Sequence, residues 1–178
     1  MYVLIIIIVF ILVIALICNF IKMNNNIEAM KVKIEEAKAD LETYLIKRYD
    51  VLTESVKVIE SFKQHENEIF SNIFKPHSNM TDKEISEAIN TQETVIKQLM
   101  VLKIPEVTSS ELYVKFQEQL TEENNHVSAS KRMYNANVSK YNQYIVKFPA
   151  KLFSHKQAEF LSDENISGKE NVDIKWQE

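Results

Sequence analysis

The chain has 178 residues, of which one is glycine, three are proline and one is cysteine. Because glycine is the usual residue at positive φ, this composition disfavours folds built from tight hairpins and excludes glycine-rich phosphate-binding loops. The net charge of −4, from 21 basic and 25 acidic residues, gives no indication of nucleic-acid binding. The single cysteine excludes an internal disulfide and a multi-cysteine zinc site.

The N-terminus is predicted to be a transmembrane anchor over residues 1–21. Every residue from Tyr2 to Cys18 is apolar, and Lys22 is the first charged residue. At about 1.5 Å per residue, twenty helical residues span the roughly 30 Å hydrocarbon core of a bilayer, so residues 2–21 are expected to contact lipid. A cleaved signal peptide would begin with basic residues and end at a small-residue cleavage site, and the sequence has neither.

The lysines predict the orientation of this anchor. No basic residue precedes the apolar run, whereas Lys22, Lys31 and Lys33 follow it. Because basic residues favour the cytoplasmic side, a single-pass protein of the cell membrane is expected, with its N-terminus outside and residues 22–178 in the cytoplasm.

A long first helix is predicted over residues 27–75, continuous with the membrane span or directly after it. Apolar residues recur at intervals of three and four, which places them on one helical face. The stripe comprises Ile27, Met30, Ile34, Ala37, Leu41, Tyr44, Arg48, Val51 and Ser55. Arg48 interrupts this apolar face. It is expected either to extend its charge to the bundle edge or to form a buried or half-buried pair with a carboxylate of another helix.

Two further long helices and one short helix are predicted. Thr81 and Glu84 form a candidate capping box for the second helix, which is expected to end at Ile104-Pro105. A second candidate box, residues 108–111, begins the third helix, whose apolar stripe is expected to reach Phe148. The short helix is expected over residues 150–161.

The fold class that follows is all-α. An N-terminal transmembrane helix precedes an elongated antiparallel bundle of three long helices and one short helix, over residues 22–161. Short connections favour antiparallel neighbours, and each apolar stripe must be buried against another. Residues 162–178 are interpreted as a polar C-terminal tail.

A search for chemistry predicts no catalytic residue, no metal site and no cofactor. His65-Glu66 begins like a zinc motif but has Ile69 where the second histidine belongs. Glu123-x-x-His126 matches one half of a di-iron bundle motif, but no other histidine has a glutamate three residues before it.

The most distinctive run is a Tyr-Asn pair repeated at a seven-residue interval, Tyr134-Asn135 and Tyr141-Asn142. With Val138 between them, the two tyrosines share one helical face. The repeat is interpreted either as specific packing between helices or as a recognition surface for a partner.

At this run the chain resembles the LemA family of single-pass bacterial membrane proteins. The matching positions are Glu123, Asn124, Val127, Arg132, Tyr134, Asn135, Val138, Tyr141, Asn142, Ile145, Phe148 and Pro149. A second match is Arg48-Tyr49-Asp50-Val51-Leu52 in the first helix. The resemblance implies an N-out anchor and a cytoplasmic helical bundle, and it supplies no catalytic residues.

The chain departs from the family pattern at a few positions. Thr53 stands where the family usually has proline, and Ser55 where it has an apolar residue. Ala158 stands where a glycine is expected, so the end of the bundle is expected to pack differently.

The expected function is that of a membrane-anchored interaction or scaffold protein, not an enzyme, which binds an unidentified protein partner. The alternative is a ligand- or metal-binding bundle with a sensory or enzymatic output at the membrane. A third interpretation is self-association through the coiled-coil-like face of the first helix. Residues 76–128 hold four basic and nine acidic residues, and such a charge-segregated surface can steer a partner.

Overall fold

The computed structural model describes residues 2–62, 73–101 and 111–161. These ranges form three helices: α1 (Tyr2–Phe62), α2 (Asp82–Val101) and α3 (Glu111–Ile145). A single 3₁₀ turn, Ala150–Leu152, follows α3. The described ranges contain no strand, which confirms the all-α prediction. His65, the candidate box at 108–110, the Ile104-Pro105 stop and the tail at 162–178 lie outside them.

Helix α1 runs without interruption from the apolar N-terminus into the heptad-like region. The side chains of residues 2–21 are all exposed, and the helix is long and apolar enough to cross a membrane. Its end differs from the prediction, because residues 73–80 are not helical and the helix does not reach Lys75. Pro76 disfavours helix at the residue before it, and the Phe74 N–H instead donates to Thr91 Oγ1 at 3.3 Å.

Helix α2 begins at the predicted capping box, which is confirmed. The Thr81 N–H donates to Glu84 Oε2 at 2.7 Å, and the Glu84 N–H donates to Thr81 Oγ1 at 3.3 Å. The two bonds satisfy backbone N–H groups that the first helical turn leaves unpaired.

The chain divides into two compact units. The first unit comprises Met1–Asp40 and Ser130–Phe160. In it α1 and α3 are antiparallel, since Asn26 donates to the hydroxyl of Tyr144 while Asn137, further back along α3, donates to the Lys33 carbonyl.

The second unit comprises Leu41–Ala129 and Leu161–Glu178. Its described core joins all three helices, with Leu52 from α1 and Leu120 from α3 packed among α2 side chains. The α2 members of this cluster are Val95, Ile96 and Leu99.

Within the second unit, α2 runs in the same direction as α1. Glu42 contacts Met80, Arg48 contacts Gln92, and Leu52 packs in the cluster around Leu99, so positions rise together along the two helices. The antiparallel expectation for these neighbours rested on a short connection. Residues 63–81 instead separate the helices, and their described part, 73–81, returns the chain to the level of Glu42.

The predicted fourth helix over residues 150–161 is wrong. After the 3₁₀ turn, residues 154–161 are not helical. Backbone groups of Lys156, Ala158 and Glu159 bond to side chains of α3 instead of to helical partners. Phe148, predicted to extend the α3 stripe, is 80% exposed because the helix ends at Ile145 and its periodicity no longer applies.

Candidate functional site

Arg48 is the centre of a buried polar cluster that links the three helices of the second unit. The α1 stripe directs its side chain inward, and only 1% of its surface is exposed. Its Nε donates to Gln92 Oε1 of α2 at 2.6 Å, and its Nη1 donates to Asn124 Oδ1 of α3 at 2.9 Å.

The first interpretation of Arg48 is wrong, and the second is correct about burial but not about the partner. The guanidinium does not reach the bundle edge, and its hydrogen-bond partners are neutral amides instead of a carboxylate. Burial disfavours the charged form and lowers the pKa of Arg48 to about 10, against a smaller, opposing effect of the Glu93 charge. Arg48 Nη2 is buried without a hydrogen-bond partner among the described residues.

Gln92 completes this cluster, and the sequence analysis missed it. Its Nε2 donates to the Leu45 carbonyl at 3.0 Å while its Oε1 accepts from Arg48, so the amide is used at both ends. The sequence pattern does place Gln92 on the apolar face of α2. It lies between Ile89 and Val95, at the three- and four-residue spacing of that stripe. A polar residue there, facing a neighbour whose own stripe contains an arginine, indicates a buried polar pair.

A second buried polar residue, Glu42, was also missed. Its carboxylate accepts the backbone N–H of Asn79 at 2.9 Å and that of Met80 at 2.8 Å. Asn79 has a φ of 60°, a left-handed conformation that asparagine tolerates better than most residues. Glu42 therefore holds the sharp turn before α2, in a chain with almost no glycine.

The Tyr-Asn repeat lies in the first unit and holds the C-terminal segment 154–160. The hydroxyl of Tyr134 donates to the Glu159 carbonyl at 3.3 Å, and that of Tyr141 donates to the Lys156 carbonyl at 3.0 Å. Asn142 Nδ2 donates to the Ala158 carbonyl, and its Oδ1 accepts the Ala158 N–H, both at 2.9 Å. The repeat is thus a clasp, in which α3 side chains replace the backbone partners of a short extended segment.

The other family-signature positions differ in their surroundings. Val138 is fully buried between the two tyrosines, and Asn135 is half-buried. Glu123 is half-buried, and its Oε2 has no hydrogen-bond partner among the described residues. The remaining four are exposed: Asp50, Arg132, Phe148 and Pro149.

The half di-iron motif is not assembled into a metal cluster in the described residues. The His126 ring stacks on Tyr44, with centroids 4.8 Å apart and planes inclined by 8°, and its Nε2 lies 3.8 Å from Glu122 Oε1. Within residues 2–62, 73–101 and 111–161, no group of three or more histidine, cysteine or acidic side chains could hold a metal ion.

One cavity of about 360 Å³ lies in the second unit beside the Arg48 cluster. Its walls are mainly apolar and include Leu99, Tyr113, Phe116 and Leu120, with Asn124 at one side. Glu123 and His126 do not line it. Ser55, Gln117 and Thr121 add polar groups to its lining. A mainly apolar cavity with a few polar groups is the usual form of a small-molecule site, so the ligand-binding alternative stays a prediction.

Comparison with known protein families agrees with these positions. The family model described as "LemA family" matches residues 37–176, which include both the Arg48 cluster and the Tyr-Asn clasp. The chain belongs to the LemA family. No curated protein sequence matches the chain. The LemA match begins after the apolar N-terminus, so family membership rests on the residues that follow the apolar segment.

Proposed function

We propose that this LemA-family chain is a membrane-anchored interaction protein without catalytic activity, which presents its helical bundle to a protein partner. The observation that carries the proposal is the continuity of α1. One helix carries an exposed apolar segment at residues 2–21 and then the buried stripe of the bundle. Exposed apolar side chains over this length match the environment of a bilayer.

The distribution of charge supports a cytoplasmic bundle. Lys22, Lys31 and Lys33 follow the apolar segment, and residues 130–160, which complete the first unit, contain six basic residues and one acidic residue. Basic residues beside a membrane span favour the cytoplasmic side. The N-terminus is accordingly placed outside.

The acidic charge of the second unit favours a partner with a basic surface. Helix α2 and residues 111–129 together carry eight acidic and three basic residues. Glu87, Glu118 and Glu122 are exposed members of this acidic set. An acidic surface accelerates encounter with a basic partner and disfavours acidic ones.

The use of the buried polar groups supports a non-catalytic role. Arg48 and Gln92 bond to each other and to neighbouring helices, Glu42 holds a turn, and Asn142 holds the segment after α3. These hydrogen bonds maintain the fold, although Arg48 Nη2 and Glu123 Oε2 have no partner among the described residues.

Charge reversal in membranes tests the partner proposal. Glu87→Lys, Glu118→Lys and Glu122→Lys combined should abolish chemical cross-linking to the partner. The matched control reverses three exposed acids of the first unit, Glu35, Glu36 and Asp40, with the same change in net charge. Equal cross-linking in both variants, or equal loss, contradicts a role for the acidic surface.

A further inference from the structure

The segment after α3 exposes large apolar side chains on an ordered turn. Phe148 is 80% exposed and Leu152 is 69% exposed, and Val146 and Phe153 are also exposed. Isolated exposed apolar residues are ordinary, but four within eight residues form a patch that normally marks an interaction site. We name residues 146–153 the apolar turn.

The backbone of the apolar turn is fixed by its own hydrogen bonds. The Lys151 N–H donates to the Lys147 carbonyl at 2.9 Å, and the Leu152 and Phe153 N–H groups donate to Pro149 and Ala150 carbonyls at 3.0 Å. Ala150 is buried beneath the turn. The turn therefore holds Phe148 and Leu152 outward.

The apolar turn lies beside the end of the apolar segment of α1. The Phe153 ring contacts the Phe20 ring, with centroids 5.0 Å apart. The antiparallel pairing of Tyr144 with Asn26 places the residues that follow α3 level with the last turn of the apolar segment. The turn thus adjoins the end of the apolar segment at Phe20.

The basic residues of the apolar turn and the polar lining of a nearby pocket are suited to an anionic lipid headgroup. Residues 146–156 contain three lysines, Lys147, Lys151 and Lys156, and no acidic residue. An open pocket of about 340 Å³ beside the turn is lined in part by Lys151, Ser154, His155 and Gln157. His155 Nε2 is buried and has no partner in the described part of the chain, so its hydrogen-bonding capacity is unused there.

We infer that the apolar turn is a second membrane contact, in which Phe148 and Leu152 enter the boundary between headgroups and acyl chains. Lys147 and Lys151 bind anionic phospholipid headgroups, and the pocket at His155 receives a headgroup phosphate. Aromatic and basic residues are the side chains that favour this interfacial layer. The inference rests on the proposed anchoring by residues 2–21 and adds that the first unit is held against the bilayer at two points.

Tryptophan quenching in vesicles tests this inference on the full chain. In a Trp176→Phe background, Phe148→Trp is reconstituted in phosphatidylcholine–phosphatidylglycerol vesicles whose acyl chains carry bromine. The control is Met133→Trp, an exposed α3 position of the same unit about 18 Å along the helix from Ile145. We expect strong quenching and a blue-shifted emission at position 148, and neither at position 133.

Flotation of the same vesicles separates the two proposals. If the chain floats with the vesicles but the introduced tryptophan is as unquenched at position 148 as at position 133, the anchor stands and the lipid-binding turn is refuted. The patch is then left to a protein partner. If the chain does not float, the anchor proposal fails and this inference fails with it.

Headgroup binding by Lys147 and Lys151 is tested separately, in the Phe148→Trp background. Combined Lys147→Gln and Lys151→Gln should remove the extra quenching seen with phosphatidylglycerol over pure phosphatidylcholine. Combined Arg132→Gln and Lys140→Gln, at exposed α3 positions of the same unit, should retain it. An unchanged phosphatidylglycerol effect after the first pair of changes overturns the headgroup contact.

Discussion

Asn142 holds Ala158 through two reciprocal hydrogen bonds, each 2.9 Å long. The side-chain amide donates to one backbone group of Ala158 and accepts from the other, as a neighbouring strand would. A signature residue of α3 thus holds, through its side chain, a segment that has no secondary structure of its own.

The clasp predicts a large effect of Asn142→Ala. The change leaves the N–H and carbonyl of Ala158 without protein partners, and it should lower the free energy of unfolding by about 2 kcal/mol. Denaturant unfolding of the detergent-solubilised chain measures this. Gln143→Ala, at the adjacent exposed position, should change it by less than about 0.5 kcal/mol. Equal effects of the two changes would refute the clasp.

Two substitutions of Tyr141 distinguish the contribution of ring packing from that of the hydroxyl hydrogen bond. Tyr141→Phe removes only the bond to the Lys156 carbonyl and should lower the free energy of unfolding by about 1 kcal/mol. Tyr141→Ala also removes a buried ring and should lower it by about 3–5 kcal/mol. Hydrogen exchange should accelerate near residue 156 in both variants. A melting temperature unaffected by Tyr141→Ala, together with loss of partner binding, would instead indicate a recognition surface.

The Arg48 cluster predicts energetic coupling between two helices. In a double-mutant cycle of Arg48→Met and Gln92→Leu, the double variant should be more stable than the sum of the single changes predicts, by about 1–3 kcal/mol. Each single change leaves a buried polar group without its partner. Additive effects would show that the 2.6 Å contact contributes no coupling.

The coupling energy between Arg48 and Gln92 is expected not to depend on pH near neutrality. The lowered pKa of Arg48, about 10, still lies well above neutrality, so the guanidinium stays charged from pH 6 to pH 9. The coupling energy with Gln92 should therefore be constant across this interval. A fall between pH 6 and pH 9 would instead mean that Arg48 loses its proton within this interval, below the pKa of about 10.

Weakening the hydrogen bonds of Glu42 is expected to loosen the turn before α2. Glu42→Gln replaces one of two acceptor oxygens with a donor that faces a backbone N–H, and it should cost about 1–3 kcal/mol. Amide hydrogen exchange at Asn79 and Met80 should accelerate. The exposed Glu36→Gln is the matched control, and protection at residues 79–80 that is the same in both variants would contradict the role of Glu42.

Much of this fold could be predicted because helical periodicity is a local property. The α1 stripe from Ile27 to Arg48 points into the structure, and Thr81 with Glu84 determines where α2 begins. These features depend only on residues within a few turns of each other, and the family signature was readable for the same reason.

The remaining features depend on long-range partners. The direction of α2 was missed because the contact of Glu42 with residues 79–80 spans a long connection. Residues 150–161 have a composition typical of helix, but Asn142 and Tyr141 offer competing hydrogen bonds to their backbone. Gln92 was overlooked because its value as a buried amide is apparent only opposite Arg48.

We propose a single membrane span with a cytoplasmic bundle, and cysteine accessibility tests this topology. Cys18 is the only cysteine, so Cys18→Ala provides a background for Tyr2→Cys and, separately, for Lys97→Cys at an exposed position of α2. A membrane-impermeant maleimide applied to intact cells should label position 2 and should label position 97 only after permeabilisation. Labelling of position 97 in intact cells would refute the cytoplasmic bundle, and recovery of the chain in the soluble fraction would refute the membrane span.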